Sequence, residues 1–287
     1  MRILLTGAGG NIGRGLIPRL LAEGHVPVLS DLSRPMWLDK YGHLEFHQLD
    51  IQIGVGLTKA AEGCELIVHL PAWHGIHTAG RSEADFWRLN VDGTFWALQA
   101  ARANGISKFL FMSSQAWHGH YDKYGFTKRI GEELLEYQHQ QAGMSYVAVR
   151  PGALTPWESN WPQEYGARLL TIGVDREDVL DATALSIQYL GKSGSAALVV
   201  DAVRPNAYSA DQLEEWEVDP ITAAERIFPG SRQVVERYGL DISQTPELAT
   251  CAGWEEIGYA PSRHFGTFVQ EALNLSEDEA RGKACPY

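Results

Sequence analysis

Apolar runs alternate with amphipathic stretches through the first two hundred residues. Arg2–Thr6 is a short continuous apolar run and predicts a buried strand. Asn11–Glu23 carries apolar residues at helical spacing, with Pro18 accommodated near its start or at a kink. Val26–Ser30 and Leu44–Gln48 predict the next two strands, and Glu65–Leu70 a fourth. A long helix is expected over Glu83–Ala103, a strand over Lys108–Ser113, and a second long helix over about Tyr121–Ala142. Tyr146–Arg150 predicts a strand, Glu177–Leu190 a helix and Ala196–Asp201 a strand. Strand and helix in this alternation imply an α/β fold: a Rossmann-type, doubly wound parallel sheet covered on both faces.

Beyond Asp201 the pattern breaks. Pro205, Pro220, Pro229, Pro246 and Pro261 punctuate short helical pieces such as Thr222–Ile227 and Arg232–Tyr238. The expected organisation is a dinucleotide-binding core over 1–150 and 174–203. Residues 151–173 and 204–287 are then substrate-binding segments packed on that same core.

The chemistry starts at the first turn. Thr6-Gly7-Ala8-Gly9-Gly10-Asn11-Ile12-Gly13 closes the first strand and opens the first helix. Gly7, Gly10 and Gly13 fit T-G-x-x-G-x-x-G. Glycines permit the tight turn and let a pyrophosphate reach backbone N–H groups at a helix N-terminus. Asp31 ends the second strand, 18 residues after Gly13. A carboxylate there accepts hydrogen bonds from adenosine ribose hydroxyls and repels a 2′-phosphate, which favours NAD over NADP. Arg34 pulls the other way, since a nearby arginine accommodates a 2′-phosphate. Asp50, after the third strand, is placed either to reach the adenine amino group or to serve as a plain loop residue.

Tyr124 and Lys128 are four residues apart and share a helix face. A phenol near pKa 10 is a poor base at neutral pH. A neighbouring cation, together with the charge of an oxidised nicotinamide, favours the phenolate. Such a phenol takes the proton of a substrate hydroxyl while hydride leaves carbon.

With the glycine turn, Asp31, Tyr124/Lys128 and Arg150-Pro151-Gly152 in this order, the chain resembles the extended short-chain dehydrogenase/reductase family, of the NAD-dependent epimerase/dehydratase type. The resemblance covers about residues 1–200. It implies an NAD-dependent enzyme with Tyr124, Lys128 and Ser114 catalytic. Ser114, in Phe111-Met112-Ser113-Ser114, would hydrogen-bond the reacting oxygen, and Lys128 would also contact the nicotinamide ribose. The implied cofactor contacts are Gly7, Gly10, Asn11, Ile12, Gly13, Asp31, Asp50, Ile51, Leu70, Pro71, Ala72, Asn90, Met112, Tyr124 and Lys128. Pro71 replaces the small residue usual at that place. Only nine residues separate Ser114 from Tyr124, fewer than extended members usually carry.

The resemblance also bears on the substrate. In layout the chain is nearest the uronate and sugar dehydrogenase branch, where an arginine about ten residues before an acidic pair holds the substrate carboxylate. Arg168 stands ten residues before Asp178, and a guanidinium fork suits that role; a surface helix arginine is the alternative. Trp73, His74, Ser114, Gln115 and Arg168 are the expected substrate contacts. Trp73, Trp117, Trp157 and Trp161 read either as platforms for a sugar face or as packing. His74, His77, His118 and His120 read as contacts to substrate oxygens or a proton relay. No spacing resembles a metal signature, so no metal is expected.

Three function classes stay open: a sugar or sugar-acid dehydrogenase, a nucleotide-sugar epimerase or dehydratase with tightly bound NAD, and a non-catalytic dinucleotide-binding regulator. A formal charge of −12 argues against nucleic acid or an anionic membrane as partner. Cys64, Cys251 and Cys285 match neither a disulfide framework nor a zinc site. With no signal peptide and no apolar stretch near the roughly 20 residues of a membrane span, a cytoplasmic location is expected. A homodimer through the helices Glu83–Ala103 and Tyr121–Ala142 is expected by resemblance.

Overall fold

The computed structural model describes residues 1–118, 122–155 and 161–283. Trp157, His120 and Cys285 lie outside them. In chain order the first elements are β1 (Arg2–Thr6), α1 (Asn11–Ala22), β2 (Val26–Asp31), β3 (Phe46–Gln48), α2 (Leu57–Ala60) and β4 (Leu66–His69). Then come α3 (Glu83–Phe86), α4 (Gly93–Ala103), β5 (Lys108–Met112), α5 (Lys123–Ala142) and β6 (Ser145–Pro151). The remainder comprises β7 (Ala153–Leu154), α6 (Gly166–Leu170), β8 (Gly173–Val174), α7 (Arg176–Lys192), β9 (Ala197–Ala202), α8 (Ala210–Val218), α9 (Pro220–Ile227), α10 (Ser231–Tyr238), α11 (Trp254–Ile257), α12 (Phe265–Asn274) and α13 (Glu277–Gly282).

The described residues form a seven-stranded sheet in the order β3-β2-β1-β4-β5-β6-β9. The β1 pairings with β2 and β4 are parallel, as are β2 with β3, β4 with β5 and β5 with β6. The strands read as unbroken apolar runs because both faces are covered: four consecutive residues are buried in β1, β4 and β5 alike. Strand order reverses between β1 and β4, which creates the crevice where such sheets bind ligands.

The chain divides into two compact units. The first is Met1–Arg150, Ala182–Val200 and Ala252–Gly258; the second is Pro151–Asp181, Asp201–Cys251 and Tyr259–Tyr287. These bounds differ from the sequence expectation at residues 174–181, 201–203 and 252–258. Residues 174–181 fall in the second unit because Asp175 accepts from the Tyr165 hydroxyl at 2.6 Å and Asp178 is held by the Arg263 guanidinium at 2.8 Å. Residues 252–258 fall in the first because Gly253, at φ +75°, lies directly on β9: a Cβ there would be 2.3 Å from the Val199 carbonyl oxygen.

The first unit packs Leu4, Ile67, Leu98, Phe109, Phe111 and Leu135 between sheet and helices. The second has its own core around Trp161, Trp216, Phe265 and Phe268. Trp161 is therefore no sugar platform. It is fully buried, with its ring 4.9 Å from that of Phe268.

The helix expected over Glu83–Ala103 is not uniform. Between α3 and α4 the segment Trp87–Asp92 takes π-helical geometry, which shifts the register around Asn90. The Thr94 hydroxyl donates to the Asn90 carbonyl at 2.7 Å. Such bulges are found mostly at functional sites. The second long helix starts at Lys123, where the Asp122 side chain caps it by accepting from Gly125 N–H.

Candidate active site

The glycine turn is shaped by close approaches. Gly7 has φ +71°, and a Cβ on it would sit 3.0 Å from Pro71. The proline at the end of β4 thus fits because its neighbour has no side chain. At Gly13 a Cβ would come within 2.4 Å of the Ala8 carbonyl oxygen, so α1 starts tight against the turn. Gly10 precedes α1 with no side-chain cap, and the first helical turn has no acidic residue. That leaves the positive end of the helix dipole to an anion.

Asp31 faces the same turn. One carboxylate oxygen accepts from Gly9 N–H at 2.8 Å and the other from Leu32 N–H at 2.7 Å. Arg34 is engaged elsewhere: its guanidinium donates to the Leu38 carbonyl at 3.2 Å and lies 5.1 Å from the Phe46 ring centre. Asp50 accepts from the backbone and side chain of Gln52, in the manner of a turn residue. Ile51, Leu70 and Met112 are buried at strand ends. The residues present therefore fit a dinucleotide: a bare-backbone cradle at a helix N-terminus, with a carboxylate at the end of β2.

Thr6 and His69 are opposite each other at the ends of β1 and β4. The Thr6 hydroxyl and His69 Nδ1 are 2.9 Å apart. Complete burial, with the Lys128 charge adding, pushes His69 down to about 3, so it is a neutral core residue.

Tyr124 and Ser114 are brought together. A hydrogen bond with Ser114 draws the phenol pKa down, while burial, the larger effect, and the Asp122 charge push it up; the net direction is upward. Ser114 Oγ also accepts from Ala116 N–H at 3.1 Å. That leaves its proton free to be donated, the polarity that favours a nearby phenolate.

Lys128 lies one turn on and is buried. Its Nζ donates to the Met112 carbonyl at 2.6 Å and sits 4.8 Å from the Phe111 ring centre. Gly131 makes this seat possible, since a Cβ there would be 2.5 Å from Phe111. Burial lowers Lys128 to about 7, against the Glu132 charge that raises it. The Tyr124/Lys128 spacing predicts a phenol lowered by the lysine; in the protein alone burial is the largest influence on the phenol, and the net direction is upward.

The segment after β4 passes over the phenol. The His74 and Tyr124 ring centres are 6.0 Å apart, and a Cβ on Gly75 would lie 3.6 Å from the Tyr124 ring. Part of His74 meets solvent, yet its imidazole is crowded: desolvation, then the Lys128 and His77 charges, push it down to about 4. His77 Nδ1 accepts from His74 N–H at 2.9 Å, so these two histidines cap their own turn. Asn90 ties the segment down. Its side chain accepts from Trp73 N–H at 2.8 Å and donates to the Trp73 carbonyl and the Thr127 hydroxyl. Trp73 stacks on Arg81 at 4.1 Å.

Arg168, in α6 of the second unit, is exposed and has no ion pair or side-chain hydrogen bond among the described residues. No group of three His, Cys, Asp or Glu among the described residues could hold a metal ion. Among the described residues, no helix is long and apolar enough to cross a membrane.

Two partners escaped the sequence reading. Thr127 receives the Asn90 amide, and Glu132 binds both Ser113 and Arg150. Glu132 is four residues past Lys128, on the same helix face, and that spacing was the available signal.

Residues 3–155 match the model of the NAD dependent epimerase/dehydratase family. The chain belongs to that family. As a member it is an NAD-dependent enzyme of the dehydrogenase/epimerase type, with NAD as cofactor. Uronate dehydrogenase of Pseudomonas putida is 28% identical over 194 residues, which span 62% of this chain and 68% of that protein. Uronate dehydrogenase of Pseudomonas syringae is 25% identical, over 62% of this chain and 66% of its own length. Among solved structures, uronate dehydrogenase from Agrobacterium tumefaciens superposes with TM-score 0.63 at 21% identity, covering 96% of this chain and 89% of that one. A UDP-galactose 4-epimerase gives TM-score 0.68 at 19% identity, covering 95% and 97%. Proteins named for different chemistries thus share this fold, and the fold alone does not choose between them.

Proposed function

We propose that this family member oxidises a hydroxyl of a sugar or sugar acid, with Tyr124 as the base. The observation that carries the reading is a buried Lys128 one helical turn past Tyr124, its Nζ bonded to the Met112 carbonyl at the end of β5, with Ser114 near enough to the phenol to lower its pKa. In this reading Gly7, Gly10, Asn11, Ile12 and Gly13 hold the pyrophosphate and Asp31 the adenosine ribose. Asp50, Ile51, Leu70, Pro71, Ala72, Asn90 and Met112 complete the cofactor wall. Bound NAD supplies the hydride acceptor. Tyr124 takes the hydroxyl proton of the substrate as a carbonyl forms. Ser114 donates a hydrogen bond to the reacting oxygen and keeps its proton, and Lys128, when protonated, places positive charge nearby. Trp73, His74 and Gln115 are the proposed substrate contacts in the first unit, which serves as the nucleotide-binding part; Arg168 is a proposed contact for a substrate carboxylate.

Three things favour a sugar acid. The two relatives quoted are uronate dehydrogenases. The segment between Gly152 and Val174 is short for a nucleotide-sugar's diphosphate and base. Arg168 is exposed and unengaged, a fork open to a carboxylate.

The test is NADH formation from NAD with free sugars, uronates and nucleotide-sugars. Net NADH with uronates is expected, and Arg168→Met is expected to raise KM for a uronate about 10-fold or more while leaving a neutral sugar unaffected, since a charged hydrogen bond contributes about 1.5–3 kcal/mol. Isomer exchange of a nucleotide-sugar without net NADH would instead make the chain an epimerase.

A homodimer is the proposed assembly. Trp87, Phe95, Trp96, Phe126 and Tyr137 are large, exposed side chains on the two long helical segments. Sedimentation at micromolar concentration is expected to give twice the chain mass, and a monomer would overturn this.

A further inference from the structure

Ser114 follows β5 in extended backbone, at φ −167° and ψ 151°, and opens a three-residue 3₁₀ turn, Gln115–Trp117. Such a turn holds itself weakly. Its own bonds run from Trp117 N–H to the Ser114 carbonyl at 3.1 Å and from His118 N–H to the Gln115 carbonyl at 3.0 Å. Poor hydrogen-bond geometry is inherent to so short a turn. Yet it carries the hydroxyl that Tyr124 needs.

Side chains from α5 and β6 supply the missing rigidity. Arg129 Nε donates to the Trp117 carbonyl at 2.6 Å, and its guanidinium is 5.1 Å from the Trp117 ring centre. The Arg150 guanidinium is closer, at 3.9 Å. It is itself fixed by a two-pronged bond to Glu132, with Nε at 2.8 Å and Nη2 at 2.5 Å, on side chains only 10% and 11% exposed. The second fork leaves the guanidinium plane no freedom to turn away from the indole. Glu132 also accepts from the Ser113 hydroxyl, next to Ser114. Gln115 Nε2 closes the circuit by donating to the Arg150 carbonyl at 3.2 Å.

Trp117 thus has its ring against two guanidinium groups and its carbonyl bonded to one of them. We propose that Trp117, held by Arg150 and Arg129, is a positioning residue that fixes the Gln115–Trp117 turn and so keeps the Ser114 hydroxyl aimed at Tyr124. The proposal rests on the reading of Tyr124 as the base.

Three variants test it: Trp117→Ala, Trp117→Phe, and Arg129→Gln, which removes the bond to the Trp117 carbonyl without opening a cavity. Turnover, KM and NAD affinity are measured for each. The Tyr124 phenol is titrated by ultraviolet difference against Tyr124→Phe. Trp117→Ala and Arg129→Gln are expected to lower kcat about tenfold or more, as small misplacements at a reacting centre do. NAD affinity is expected to stay within about twofold. The phenol is expected to titrate at a higher pH as Ser114 is no longer held beside it. Trp117→Phe, which keeps an aromatic face, is expected to restore most of both. Unchanged kcat and unchanged phenol titration in Arg129→Gln would overturn the proposal. So would a rise in KM alone in Trp117→Ala, which would make the indole a substrate platform. If Tyr124→Phe proved fully active, the base reading would fail separately, and the phenol titration would still report whether the clamp aims Ser114.

Discussion

Replacing Tyr124 by phenylalanine is expected to reduce kcat by about 10²–10⁴-fold, the usual contribution of a positioned acid–base group, while NAD affinity stays unchanged. The reason is geometric. The phenol oxygen is the atom that meets Ser114, whereas the proposed cofactor contacts of the first turn lie on the β1–α1 connection and at Asp31. Phenylalanine keeps the ring against Gly75 and His74 and removes only the oxygen. The checking measurements are steady-state NADH formation and NAD binding followed by fluorescence quenching. Wild-type turnover in this variant would remove Tyr124 from the mechanism. Loss of NAD binding would show that the phenol oxygen also holds the cofactor.

Lys128→Met is the second large effect, and it has two readouts. Turnover is expected to fall about a hundredfold or more, because a nearby cation is what makes a buried phenol usable near neutral pH. Stability should respond to pH in a way the variant lacks. In the folded protein Lys128 is lowered from its usual 10.5 to about 7 by burial. Between those values the unfolded chain binds the proton and the folded protein does not. Stability from this group therefore rises as pH increases from about 7 to 10.5 and is lost as pH falls back through 7. Tm measured across that range should climb in the wild type relative to Lys128→Met, by at least about 3 °C, the equivalent of roughly 1 kcal/mol in a chain of this size. Parallel Tm curves would mean that Lys128 keeps an ordinary pKa and that its burial costs little.

Both effects hinge on how closely α5 approaches β5. Gly131 permits contact with Phe111, and the lysine stem then has no route except along the sheet to the Met112 carbonyl. The sequence shows a tyrosine, a lysine and a glycine at helical spacing. It does not show that the ammonium is withdrawn from water, since desolvation depends on neighbours far away in the chain. For that reason the sign of the phenol shift could not be read from the Tyr124/Lys128 spacing.

The aromatic residues teach a similar lesson. Trp73, Trp117 and Trp161 look alike along the chain, each in a loop expected beside the cofactor. Trp161 is the centre of the second unit's core, Trp117 is gripped by two arginines, and Trp73 is tied by its backbone to Asn90. An indole is equally suited to core, clamp and platform, so only its contacts distinguish them. The histidines divide in the same way. His69 is neutral core, and His74 and His77 cap a turn while bordering Tyr124.

The sequence by itself determined the sheet, the glycine turn and the order of Asp31, Ser114, Tyr124 and Lys128. Each of these is a local property, written as apolar runs, missing side chains or fixed spacing between neighbours. The tertiary structure alone decided which of these groups are charged, which aromatics are accessible, and that Glu132, Arg150 and Arg129 brace the turn bearing Ser114. Burial and ion pairing join residues such as 117, 129, 132 and 150 that no sequence period connects, and a buried charge takes its state from what surrounds it rather than from what adjoins it in the chain.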